Sequence, residues 1–336
     1  VDVVALGESM VTFLPSRPGR LADVPSFDRA IGGAESNVAC VLAAAGHSAR
    51  WVSRVGADGF GQHLVERIAG YGVDVRAVRR DPVRPTGIYF RTAGDRGTGA
   101  HEVAYYRTGS AASAMSVGNV DLAAIRAGRV LHLSGITAAL SPECRELTDA
   151  LTAPRAGRPL LSFDVNHRPG LWRTDAGPLV LLDLARRADI VFVGEDEAEQ
   201  AWGIEGGPEA VREALPEPEV LVVKQGARGA TAFAGRRPPV LEPALHVDVV
   251  ATTGAGDAFA AGFLSATLRG LPLSVRLRHG HLFAAAALTA PGDLAPPPAR
   301  DHADRLSGLD SAAWGRLRLG PGWTQADAAE QEANTP

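Results

Sequence analysis

The sequence predicts a three-layer α/β/α domain with a mainly parallel central sheet and a small β-sheet lid. Three observations predict it. Near-continuous apolar runs alternate with helical stretches over most of the chain, the pattern of parallel strands buried on both faces and joined by crossover helices. Two segments, 11–31 and 84–110, interrupt that rhythm with short alternating runs and turn residues, as expected of strands added outside the main sheet. The 336 residues are 46% hydrophobic, enough for a sizeable core in one large domain or two smaller ones.

Taken in order, "VDVVALG" (1–7) reads as a strand, "SNVACVLAAAG" (36–46) as a helix stopped by glycine, and "ARWVSRVG" (49–56) as a strand. Residues 59–72 read as helix and 73–80 as extended chain. After the second interruption, strands are expected at 129–136, 159–166, 189–195 and 219–226, with helices at 142–151, 178–188 and 208–215 between them. The interruptions, with runs such as "TGIYFRT" and "HEVAYYRTG", are expected to form antiparallel lid strands. Alternation puts Tyr105 and Arg107 on one face and Tyr106 on the other. Packing is the commoner use of strand tyrosines, and ligand contact is the alternative for Tyr89, Tyr105 and Tyr106. No internal repeat is evident, and the polar, Ala-rich end from 323 is expected to fray.

Bulk properties narrow the function. A formal charge of -4, from 34 basic and 38 acidic residues, supplies no basic field for nucleic acid. Two cysteines, Cys40 and Cys144, fall in separate expected helices, which suits a reducing, cytoplasmic setting rather than a disulfide framework. No secretory leader and no membrane-spanning run is read. Lysine occurs once, at Lys224 in "VVKQGARGA", among otherwise arginine cations. That survival points to a need for a compact, flexible ammonium.

The chemistry concentrates in "TTGAGDAFAAGF" (252–263), which follows the β-branched "HVDVV". A helix start with two glycines offers unpaired N–H groups and a positive dipole end, a setting for phosphate. An acid there repels phosphate unless it takes a proton from the attacking group. The plainer reading is a capped helix, with Thr252 or Thr253 as cap and Asp257 in the first turn. The stretch is not a P-loop. As a dinucleotide fingerprint it lacks the third glycine, Phe259 standing there.

A second stretch, "GGAESNVACVLAAAGHSARWVSRVGADGFG" (32–61), pairs with the first. Together they resemble the ribokinase-like (PfkB) sugar kinases, over roughly residues 1–306. Residues 307–336 then form a partly flexible C-terminal tail. The middle motifs "YYRTGSA", "LHLSGI", "DVNHR" and "VKQGARGA" look most like those of 2-keto-3-deoxygluconate kinases. The resemblance implies an ATP- and Mg²⁺-dependent kinase acting on the terminal hydroxyl of a sugar acid. Asp257 is then the base, and the N–H groups of Gly254, Ala255 and Gly256 form the anion hole. It also implies sugar contacts from Gly33, Asn37, Tyr89, Tyr105, Arg107, Arg168 and Asp293. The two arginines would meet the carboxylate, although a surface ion pair is the ordinary fate of either. For ATP it implies Asn166, Lys224, Gly226, Gly229, Gly254 and Gly256, with His281 beside the adenine.

Glu197, in "GEDEAE", matches the acid that helps arrange Mg²⁺ through water, its plain alternative being a solvated acidic helix start. Gly194 stands where asparagine is usual, and Ala251 where an aspartate often precedes the turn, putting K⁺ activation in question. His279 and His281, two apart on a helix, make a poor metal pair. A kinase for a neutral sugar such as fructose or ribose, and a non-catalytic sugar-acid sensor, remain open. The lid's edge strands suggest a homo-oligomer.

Overall fold

A computed structural model describes residues 1–92, 102–172 and 174–325. Its centre is an eight-stranded sheet in the order Val240–Glu242, Ala230–Ala234, Val220–Lys224, Ile190–Gly194, Leu160–Asp164, Val130–Ser134, Val3–Leu6, Ala49–Val52. The six strands from Val220–Lys224 to Ala49–Val52 run parallel, and the last two at the other edge are antiparallel. Period-two alternation sorts their side chains into two cores. Val3, Ala5, Ile190, Phe192, Val220 and Val222 face one core with the helices Ala34–Ala44, Ala255–Leu268 and Leu273–Leu288. Val4, Leu6, Val191, Val193, Leu221 and Val223 face the other, covered by Pro142–Thr152, Gly177–Arg187 and Gly207–Ala214. Both faces are dry, so these strands carry apolar residues at consecutive positions.

The lid is a separate four-stranded sheet in the order Phe27–Gly32, Met10–Pro15, Ile88–Arg91, Val103–Tyr106. Each interrupting segment supplies one antiparallel pair, and the two pairs join through a parallel seam, Val11 to Phe13 against Ile88 to Phe90. Part of the expected lid, residues 93–101, lies outside the described residues, as does 326–336 of the C-terminal end.

Two expectations change. The run "HVDVV" is not a central strand. Only His246–Val247 is extended, pairing with Arg318–Leu319, while Val249 and Val250 are exposed. Residues 307–325 do not behave as a tail. Trp314 is fully buried, donates Nε1–H to the Pro243 carbonyl at 3.0 Å and lies under Arg278, 4.9 Å from ring to guanidinium. Large apolar side chains so close to the end need burial, and the sheet edge supplies it. Cys40 and Cys144 are buried free thiols, and both are pushed up in pKa by burial, to about 12 and about 11. No described helix is long and apolar enough to cross a membrane.

The Trp314→Ala variant is expected to lose about 3–5 kcal/mol of stability, measured by urea denaturation, because it empties a core site. An unchanged midpoint would show the C-terminal segment to be dispensable.

Candidate active site

The carboxyl ends of the parallel strands converge on one cavity of about 680 Å³, with the lid as its far wall. In open α/β sheets that end is where ligands bind, because each strand there hands over to a loop. Asp164 and Lys224 are the last residues of their strands, and Glu8 follows the first strand closely. Lid residues Tyr89, Arg91, Val103 and Tyr105 face them.

Asp257 occupies the first turn of Ala255–Leu268, whose N-cap, Gly254, sits at φ 79°. A side chain there would strike the Asp293 carbonyl at 2.1 Å, so glycine is needed for both the left-handed backbone and the close approach. Asn37 Nδ2 donates to Asp257 Oδ2 at 2.8 Å. Burial, helped by the nearby Asp164 and Glu35 charges and opposed by Asn37 and Lys224, pushes the Asp257 carboxyl up to about 7. A general base tuned close to neutral pH is what proton abstraction favours.

The Lys224 ammonium lies 3.2 and 3.3 Å from the two Asp164 oxygens. It also stands 3.7 Å from the point where a Gly256 Cβ would be. Burial alone would lower it, but the Asp164, Glu197 and Asp257 carboxylates win and raise it, so it is charged. Asn166 is the single non-glycine among the described residues with positive φ, 42°, and its buried Oδ1 has no partner. Such strain with an orphaned acceptor at a cavity wall marks a site built to receive a donor.

The other walls are paired charges. Arg107 Nε donates to Glu8 Oε2 at 2.8 Å, with Nη2 on the same oxygen, and the ring of Tyr105 lies beside the guanidinium. Arg91 reaches Asp293 Oδ1 at 2.5 Å, while the Tyr89 hydroxyl donates to Oδ2 at 2.7 Å. Burial first, then the Asp293 charge, raises the Tyr89 phenol well beyond its ordinary value. Arg168 is the loosest cation, half-exposed and 3.7 Å from Glu197 Oε1. Glu197 Oε2 accepts the Gly194 N–H at 2.7 Å, closing its own helix start from within.

Residues 2–300 match the family model for pfkB family carbohydrate kinases. The chain belongs to that family. A 2-dehydro-3-deoxygluconokinase of Bacillus subtilis is 35% identical over 306 residues, covering 90% of this chain and 94% of its own. A probable chloroplastic fructokinase of Arabidopsis thaliana is 34% identical over 84% of this chain and 75% of its own. An uncharacterized sugar kinase of Pyrococcus horikoshii, solved in complex with ATP, superposes with a TM-score of 0.77 at 25% identity, covering 89% and 96% of the two chains. This carbohydrate kinase is therefore a phosphotransferase acting on hydroxyl groups.

Of the residues named from the sequence, Gly33, Asn37, Tyr89, Tyr105, Arg107, Asn166, Arg168, Glu197, Lys224, Gly254, Gly256, Asp257 and Asp293 all line the cavity. Four do not. Ala255 begins the helix behind the turn. Gly226 and Gly229 form the turn after Lys224, where a side chain at Gly229 would strike the Glu242 carbonyl. His281 is buried between Phe259 and Trp314 and shares that carbonyl through Nε2 at 3.0 Å. Burial pushes it down to about 4, so it is neutral and structural in position. His279 points elsewhere, to Asp304 at 3.1 Å. The sequence reading passed over Glu8, Arg91 and Asp164. Each had a signal: Arg91 follows Tyr89 by two on one strand, and Glu8 and Asp164 are acids at strand ends among apolar residues.

A carboxyl raised in the fold is stabilised as the neutral acid. Its contribution to stability is complete below its unfolded value and fades as pH rises through about 7. Asp257→Asn is therefore expected to be more stable than wild type at pH 8, by about 1–4 kcal/mol, and about equal at pH 4. Parallel pH–stability curves would show the carboxyl to be unperturbed.

Proposed function

We propose that this carbohydrate kinase transfers the γ-phosphoryl group of ATP to the terminal hydroxyl of 2-keto-3-deoxygluconate, giving 2-keto-3-deoxy-6-phosphogluconate. The observation that carries the reading is Asp257, tuned near neutrality and held by Asn37 at the bare start of a helix. Its ionised carboxylate takes the proton of the attacking hydroxyl. The hydroxyl oxygen bonds to the γ-phosphorus as the bond to the β-phosphate oxygen breaks, and ADP leaves. The N–H groups from Gly254 to Asp257 and the Lys224 ammonium face the oxygens on which charge collects.

Mg²⁺ would be held here mainly by nucleotide phosphates and water, with few protein ligands. Among the described residues no cluster of three or more metal-binding side chains exists, the usual case when an octahedral ion rests mainly on nucleotide phosphates and water. Glu197, which lines the cavity, would hold one of those waters, and the ion would neutralise phosphate charge.

Arg107 and Arg168 both line the cavity and support a carboxylate-bearing sugar, in line with the name of the Bacillus subtilis relative. A neutral sugar is the second reading, favoured by Glu8 already balancing Arg107 and by the name of the Arabidopsis relative. For assembly we propose a homo-oligomer through the lid, whose edge strand Val103–Tyr106 leaves Tyr106 65% exposed. Sedimentation of the full chain should then give a dimer or larger, shifting towards monomer in Tyr106→Glu.

A coupled ADP-release assay across sugar acids and neutral sugars tests the reaction. Asp257→Asn should lower kcat about 10²–10⁴-fold with little loss of sugar affinity, and wild-type kcat/KM should climb with pH through about 7. Arg107→Ala should nearly abolish turnover of the sugar acid. Preference for fructose or ribose, with Arg107→Ala fully active, would overturn the sugar-acid reading.

A further inference from the structure

Glu8 has no part in the roles above, yet it is a charged side chain almost completely shielded from water. Such a carboxylate is costly unless its partners are well placed. Its partners lie where the chain passes between body and lid. Glu8 itself leads from the first central strand into Met10–Pro15, and a side chain at Gly33, just past Phe27–Gly32, would overlap the Glu8 carbonyl. Gly87, just before Ile88–Arg91, passes so near Oε1 that an added Cβ would come within 2.8 Å. Arg107 and Ser110 follow Val103–Tyr106, and the Ser110 hydroxyl donates to Oε1 at 2.6 Å. All four crossings of the lid thus meet at one residue.

We infer that Glu8 is a positioning residue for sugar recognition: it grips one edge of the Arg107 guanidinium and leaves the other edge to the sugar. Oε2 receives Nε and Nη2, while Nη1 has no protein partner among the described residues. A guanidinium carries donors on more than one edge, so a fork held from behind still offers N–H groups in front, with its rotation removed. Because the same carboxylate ties Ser110 and packs against Gly87, the angle of Arg107 and the seating of the lid are set together. The inference deepens the proposed sugar site and rests on Arg107 meeting the sugar there.

The test is a double-mutant cycle of Glu8→Gln, Arg107→Gln and the double variant, with sugar and ATP varied separately and melting temperatures recorded. It uses whichever sugar the wild type phosphorylates best. The wild-type sugar preference alone judges the sugar-acid reading, and the cycle alone judges Glu8. Glu8→Gln should raise the sugar KM about 10- to 100-fold while leaving the ATP KM within about twofold. In the Arg107→Gln background it should add nothing further. Additive losses, an unchanged sugar KM, or an equal rise in both KM values alongside a lower melting temperature would each overturn the inference. Glu8→Asp, which keeps the charge but withdraws it by one methylene, serves if Glu8→Gln does not fold. It should show the same rise confined to the sugar KM, and a rise in both KM values would again overturn it.

Discussion

Asn37 and Asp257 are 220 positions apart in the chain, and the 2.8 Å hydrogen bond between them depends on how two helices pack. Ala34–Ala44 and Ala255–Leu268 lie against each other in one core, and their first turns end at the same cavity. Ala255–Leu268 is also seated closely on Leu273–Leu288, where a side chain at Gly262 would meet the His279 carbonyl at 2.4 Å. Moving either helix would swing the carboxylate away from the bare N–H groups beside it. The placing of Asp257, of the glycine turn and of the cavity wall beside them is therefore a consequence of packing beneath the site.

Around that contact the ionic groups of the cavity occur in opposed pairs: Lys224 with Asp164, Arg107 with Glu8, Arg91 with Asp293, Arg168 with Glu197. Unpaired charges at such depth would cost more than the fold can tolerate. Pairing also explains why Asp257 is the carboxyl shifted to neutrality. Among the described residues its one side-chain donor is the neutral amide of Asn37, and its cation is shared with Asp164. A buried carboxyl so little compensated is pushed up by desolvation.

Asp293 joins the lid to the glycine turn at 254. Its side chain holds Tyr89 and Arg91 of the lid, and its carbonyl presses on Gly254. Gly32, at the root of the lid, leaves room for the Tyr89 hydroxyl and the Asp293 carboxylate. Glu8, through Arg107 and Ser110, ties the lid to the body at a second place.

The three layers were legible in the sequence because strands buried on both faces must be apolar at consecutive positions, as in Val220 to Val223. So was the GAGD turn, since only glycine tolerates the backbone at 254 and its neighbour. The partner of each charge was not legible. The motif "YYRTGSA" singles out Arg107, but nothing local says that Glu8, ninety-nine positions away, takes one edge of its cation. Likewise "HVDVV" has the propensity of a strand, but only His246–Val247 finds a partner strand, Arg318–Leu319, and the rest is loop. Composition and period decided which residues are inside. Long-range packing decided which of them meet, because a hydrogen bond or ion pair depends on ångström distances that only the folded chain sets.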